Sequence, residues 1–243
     1  MMMGINKKRV VKSGCICLTF ILMGSGCASA QEKSPKTLRQ ENKVDIHALT
    51  EDLQIHSRRG DEVVMVMWHP AEFWRASMAQ NPASTEAHTE KAVNHLRRYT
   101  ITSVVAGTQG PFGAITFQSE EDVRTNIQIR DAEGNYYRPI SEDNLDADTK
   151  VFLSVMSMPL ATMLGSVGQN MHFIVFPSKN IKGQYIADAT KEGTFVVQLG
   201  EREFTWRLPL SSLVPPKICP VDGEKMSGAW KFCPWHGTKL VSE

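Results

Sequence analysis

The chain has 243 residues, 42% of them hydrophobic, and its 27 Lys and Arg nearly balance its 26 Asp and Glu, for a net charge of +1. That length suits one large domain or a domain with an appendage, and the apolar content is ordinary for a globular protein. The even charge lacks the basic bias of a nucleic-acid-binding protein.

Lys7, Lys8, Arg9 and Lys12 precede a short apolar stretch, CICLTFILM, from Cys15 to Met23. A basic start, an apolar core and then small residues is the layout of a secretory signal. The core is too short to span a bilayer. Gly24-Ser25-Gly26-Cys27 resembles the lipobox of bacterial lipoproteins, although the Leu usual at the position of Gly24 lies two residues earlier, at Leu22. The resemblance implies a lipidated Cys27 and a chain anchored to a membrane without spanning it. It places the protein in the bacterial cell envelope, facing the periplasm or the exterior. Ala28-Ser29-Ala30 offers the other ending, an A-x-A cleavage that would release a soluble periplasmic or secreted protein. Residues 1–27 thus read as a signal peptide with a lipobox-like end, and 28–44, polar and without apolar period, as a tether.

A short helix is expected over 45–59. VVMVMW after Glu62 has the length and Val content of a buried strand. Pro70 suits the first turn of a helix running through Ala79. A second helix is expected from Thr85 to Tyr99, with Ala92, Val93, Leu96 and Tyr99 as its apolar stripe. From Ile101 onward the texture is strand-like. Val123, Thr125, Ile127 and Ile129 alternate with polar residues, the period-two mark of a strand over 123–130. Residues 131–135 supply a turn, and Met171–Phe176 reads as a central strand. Phe195, Val197 and Leu199, then Phe204, Trp206 and Leu208, alternate on either side of Gly200-Glu201. That is a hairpin with glycine where a type II′ turn needs positive φ. Pro215-Pro216 cannot continue a paired strand and marks a boundary.

Common catalytic signatures (G-x-S-x-G, H-E-x-x-H, Walker and dinucleotide loops) are missing from the sequence. His88 and Glu90 read as a solvated helix face, and His69 and Glu72 as a packing edge among Trp68, Phe73 and Trp74. Asp143, Asp146 and Asp148 lack the glycine and terminal Glu of a calcium loop and read as a solvated turn. His172 reads as a buried, hydrogen-bonded histidine. Met156, Met158, Met163 and Met171 read as fillers of core gaps.

The strongest chemical signal is a unit written twice, KICPVDGEKM at 217–226 and KFCPWHGTKL at 231–240. It resembles the C-P-x-C-G knuckle of zinc ribbons and rubredoxin-like sites. Pro limits the backbone after the first ligand and Gly permits the positive φ that closes the turn. Asp222 and His236 stand where the family has its second cysteines, and both side chains are ordinary zinc ligands. The resemblance therefore implies one zinc held by Cys219, Asp222, Cys233 and His236, in a structural role because four protein ligands fill its shell. The same residues also admit a disulfide between Cys219 and Cys233 in an oxidising compartment, or a metal-free fold.

Together these features predict an α+β fold, mainly β. An antiparallel β-sandwich, immunoglobulin-like, would occupy 45–214 with two N-terminal helices, followed by a zinc-ribbon-like module at 215–243. The expected role is a non-catalytic binding or assembly module of the envelope, membrane-anchored and meeting an envelope protein partner, with no nucleic acid involved. The other reading is an envelope enzyme that uses the C-terminal metal.

Overall fold

The computed structural model describes residues 44–242, with Leu160 described by its backbone alone. The leader, Cys27, the Ala30 cleavage site and the tether before Val44 lie outside the described residues. The described elements form a mixed α+β fold, dominated by antiparallel sheets.

Asp45 caps α1 (Ile46–Leu53), its carboxylate accepting from the amides of His47 and Ala48. Leu49 and Leu53, one turn apart, are fully buried. The helix stops there, whereas the sequence reading carried helix to 59. Residues 54–59 instead form β1 (Gln54–Arg59), which pairs along its whole length with β2 (Glu62–His69). A ladder of backbone hydrogen bonds overrides weak helical propensity in so short a segment. Pro70 caps α2 (Ala71–Met78), and Thr85 caps α3 (Glu86–Leu96) by accepting from the His88 amide. Tyr99, expected on the second helix, opens β3 (Tyr99–Gln109).

The first sheet runs β1-β2-β3-β4, with β4 at Ile115–Phe117. The strand β7 (His172–Pro177) pairs with the other end of β3. This corrects the expectation of a central strand. Its continuous apolar run reflects burial on two faces, which an edge strand also has when layers cover both sides.

The sharpest departure lies at 119–126. The sequence reading has a strand over 123–130, but α4 (Glu120–Asn126) occupies its first half and β5 is only Ile127–Arg130. Ser119 and Asp122 form a reciprocal capping box, three acidic residues sit in the first turn, and Arg124 reaches back 2.8 Å to Glu120. Those local interactions outweigh the chance alternation of Val123 and Thr125. The turn at 131–135 is present, its Asp131 carboxylate accepting from the amides of Glu133 and Asn135 and from the Tyr137 hydroxyl. It leads into β6 (Tyr136–Tyr137). A helix that the sequence reading did not contain, α5 (Ala147–Leu164), follows, capped by Asp146, and then α6 (Ser166–Gln169).

The expected hairpin is present as β8 (Gly193–Leu199) and β9 (Arg202–Leu208), with Gly200 at φ +57°. Phe195 faces Trp206 and Val197 faces Phe204 across it. With β5 and β6 these strands make a second sheet, ordered β6-β5-β8-β9.

Alternation along β3 and β7 sends side chains into two cores. Val104, Ala106, Ile174 and Phe176 meet Ile127, Ile129, Phe195, Val197, Phe204 and Trp206 between the sheets. Ile101 and Val175 point the other way, onto Trp74 of α2, Val93 and Leu96 of α3, and Phe152, Leu153 and Met156 of α5. The first sheet is therefore the middle of three layers. Its meander order does not reproduce the immunoglobulin-like arrangement expected from the sequence. The last strands are short: β10 (Lys217–Ile218) pairs with both β11 (Lys225–Met226) and β12 (Val241–Ser242).

Candidate metal centre

The repeated sequence unit is a repeated structure. In the first copy the Cys219 amide donates to the Glu224 carbonyl at 3.0 Å, and the Gly223 amide donates to the Cys219 carbonyl at 2.8 Å. In the second, the Cys233 amide donates to Thr238 at 2.8 Å and the Gly237 amide to Cys233 at 2.9 Å. Gly223 and Gly237 close the two turns at φ +76° and +62°, a region costly for residues with a Cβ. The flanking pairs match as well: Ile218 bridges Lys225, and Phe232 bridges Lys239.

Cys219 and Cys233 are buried, and with Met226 and Leu240 (again one position of the repeat) they make a small core of their own. Both thiols are free. His236 Nδ1 lies 3.4 Å from Cys219 Sγ and 3.5 Å from Cys233 Sγ. Ligands at zinc–sulfur and zinc–nitrogen bond lengths on a tetrahedron stand ~3.6 Å apart, so these separations fit one coordination shell. The ligand atoms of Cys219, Cys233 and His236 all lie within 4.8 Å of one another, compatible with a metal site.

Asp222, the fourth residue of the sequence reading, lies outside that group of three. Its Oδ2 stands 3.6 Å from His236 Nδ1, while Oδ1 accepts from the Glu224 amide at 3.0 Å. The Glu224 amide, the Cys219 thiol and His236 hold its carboxyl below the usual carboxylate range, so it is anionic at neutral pH. Burial opposes ionisation of Cys233. The amides of His236 and Trp235, aimed at its sulfur, and the His236 side chain outweigh that and lower its pKa. A knuckle that points backbone N–H groups at sulfur favours thiolate, the form that binds metal.

The other sequence candidates are engaged elsewhere. His69 is stacked on Trp74 at 5.2 Å, edge-on to Phe73, with Nε2 2.9 Å from Ser103 Oγ. Burial pushes its pKa down to about 3, so the ring is neutral. Glu72 faces Arg97, and Glu90 pairs with Arg75 at 2.6 Å. His172 is half-buried and donates from Nε2 to the Gln118 carbonyl. Met156 fills the second core, but Met158 and Met163 are exposed, against the sequence reading.

The acidic stretch contains a second grouping that sequence reasoning missed. His95, Asp146 and Asp148 offer ligand atoms within 4.8 Å of one another. Asp146 is already saturated by the Tyr99 hydroxyl, the Thr149 amide, His95 and Arg98 at 2.8 Å. A guanidinium in that position repels a cation, and the arrangement serves as the cap of α5. The signal available in the sequence was Asp146 three residues before Thr149 at a helix start; the contribution of His95 comes from another element. Comparison with protein-family models, with curated proteins and with solved structures finds no match to this chain.

Proposed function

We propose that the chain is an exported cell-envelope lipoprotein, anchored through a lipidated Cys27, whose globular part is a non-catalytic module that binds or helps assemble a protein partner. A zinc-ribbon-like tail binds one structural zinc through Cys219, Cys233 and His236, with Asp222 completing the shell. The observation that carries the metal is the doubled knuckle: two turns with the same hydrogen bonds converge two free thiols and an imidazole at tetrahedral separations. The basic, apolar and small-residue layout of 1–27 supports the export and anchor.

A structural role for the zinc is supported by where the cavities lie. A cavity of about 50 Å³ beside His69 is lined by Trp68, Arg97, Tyr185 and Asp188. Larger grooves run along Glu120–Glu142, beside Asp131 and Leu208, and between Asn94 and Tyr185. Knuckle residues line none of these four. Zinc at the knuckles would sit away from them, as a structural ion does.

Native mass spectrometry of protein purified without chelator tests the site. The expected result is one zinc per chain with both thiols free. A mass two protons lighter and without metal would show a Cys219–Cys233 disulfide instead. His236→Ala and Asp222→Ala should each weaken zinc binding, at least tenfold for His236→Ala; wild-type affinity in both variants would remove the four-ligand assignment.

A further inference from the structure

A strand at the edge of a sheet presents backbone amides and carbonyls that its own sheet leaves unpaired, and proteins blunt such edges. Among the described residues, β4 and β6 are blunted by length, with three and two residues. The strand β7 lies between two packed layers and ends at Pro177. The strand β1 carries Arg58 and Arg59 and no carboxylate, so it repels a copy of itself. The exception is β9, at the edge of the second sheet. It pairs with β8 over all seven residues without a bulge and contains neither Pro nor Lys.

The hairpin turn fixes which backbone groups of β9 are left over. Leu199 and Arg202 flank the two-residue turn at Gly200-Glu201, and in such a hairpin the flanking pair exchanges both hydrogen bonds. Hydrogen-bonded and non-bonded pairs then alternate along the ladder. Arg202, Phe204, Trp206 and Leu208 therefore bond to β8, and the N–H and C=O groups of Glu203, Thr205 and Arg207 point away from it. The side chains of these three are exposed on the outer face of the sheet, while Phe204 and Trp206 are buried on its inner face.

Those three side chains select the occupant. A second β9 laid antiparallel, with Thr205 opposite the partner's Thr205, joins the outward groups of both strands in three pairs and about six hydrogen bonds. The same register sets Glu203 opposite the partner's Arg207, and Arg207 opposite the partner's Glu203. Opposite charges and paired threonines are both favourable across strands. Arg207 has no ion pair among the described residues. Glu203 accepts from Arg130 at 3.0 Å, and a carboxylate has acceptor sites for a second guanidinium. Strand and charge pattern thus fit a copy of themselves.

We propose that β9 is a dimerisation edge, through which two copies join their four-stranded sheets into one sheet of eight strands about a two-fold axis at Thr205. The pairing uses up both edges, so association closes at two copies. One strand is a small interface beside those of permanent complexes, so the dimer is reversible. The inference uses neither the zinc nor the lipid anchor and stands apart from both.

Sedimentation of the full chain should show a monomer–dimer equilibrium. Arg207→Glu and Glu203→Arg each set like charges opposite one another, and each should weaken the dimer about tenfold. Arg207→Glu breaks no ion pair within the chain, so its melting temperature should be kept. Mixing the two variants should restore dimers, because every charge then faces its opposite. Under mild oxidation Thr205→Cys should link to itself, since hydrogen-bonded partners have Cα atoms about 5.5 Å apart, within disulfide reach. Glu203→Cys should not, because the two copies of that position lie roughly 14 Å apart in this register. The parent chain, with the same native cysteines, sets the background. A chain that stays monomeric at its highest soluble concentration overturns the proposal. A dimer that is indifferent to Arg207→Glu and gains no cross-link from Thr205→Cys also overturns it, and moves the contact off β9. Glu203→Cys linking as well as Thr205→Cys overturns the register. Species that grow beyond dimers with concentration overturn the two-fold and pair β9 with a different edge, such as β1.

Discussion

The domain core and the C-terminal knuckles differ sharply in how much apolar side chain they bury. Between the two sheets, Phe195 stacks on Trp206 at 5.5 Å and tilts against Trp68 at 4.8 Å, within a cluster that draws residues from both sheets. The knuckles bury Cys219, Met226, Cys233 and Leu240 and little else. Trp230, Phe232 and Trp235, the largest side chains there, are exposed. A module of this size cannot bury enough apolar surface to offset its chain entropy, and small folds of this kind rely on metal or disulfide cross-links. The contrast teaches that apolar area stabilises one region and, on the zinc reading proposed above, coordination the other; the following experiments separate the two.

The largest effect should come from removing the metal. Structural zinc contributes on the order of 10 kcal/mol to the folding of small domains at neutral pH. A chelator strong enough to strip it, or Cys233→Ser, should therefore open the amides of 217–242 to exchange while those of β3 and β8 keep their protection. Simultaneous loss of protection in both regions would show that the two are one cooperative unit and erase the contrast. Phe195→Ala is the reverse experiment. Truncating a fully buried aromatic ring costs about 3–5 kcal/mol, so the chemical-denaturation midpoint of the domain should fall sharply while zinc stoichiometry in the folded protein stays unchanged.

Acid provides the next separation, because both regions respond to it for different reasons. His69 has a pKa of about 3 in the folded chain because burial disfavours the imidazolium. The unfolded chain takes up this proton first as pH falls below about 6.5. The contribution is thus fully present above pH 6.5 and is lost between there and about 3, at ~1.4 kcal/mol per pH unit. Metal ligands also protonate in acid, so on the proposed zinc reading the knuckles should loosen as well. Urea unfolding of the domain between pH 7 and 5 should show a drop of about 2 kcal/mol from His69, and His69→Leu should flatten that slope whatever it does to absolute stability. An unchanged slope would assign the acid sensitivity to the knuckles alone.

What could be read in the sequence follows the same division. The knuckles were legible because their hydrogen bonds run between residues four and five apart, so Cys, Pro and Gly at fixed offsets encode them directly. The hairpin at Gly200 was legible for the same reason. The placement of β7 beside β3, and of His95 beside Asp146, depends on pairings across many residues that no local pattern records. The helix α5 escaped because its apolar residues are spread over several sides, which blurs the period that betrays an amphipathic helix. At 119–126 the information was present but misweighed. Ser119 followed three residues later by Asp122, with acidic residues between, is a helix-start signature, and the alternation of Val123 and Thr125 was too short to compete with it.

That last segment gives the smallest effect and a direct check on how local signals divide the two regions. Ser119 Oγ accepts from the Asp122 amide at 3.2 Å, and Asp122 Oδ2 accepts from the Ser119 amide at 3.3 Å. Ser119→Ala removes one half of this exchange and should cost about 1 kcal/mol, read as a modest drop in the domain's denaturation midpoint. Because Val123 of α4 is buried in the core between the sheets, the loss should be felt by the domain and leave exchange across 217–242 untouched. Were Ser119→Ala to loosen the knuckles as well, apolar packing and coordination would be coupled, and the metal would stabilise the domain beyond the tail that binds it.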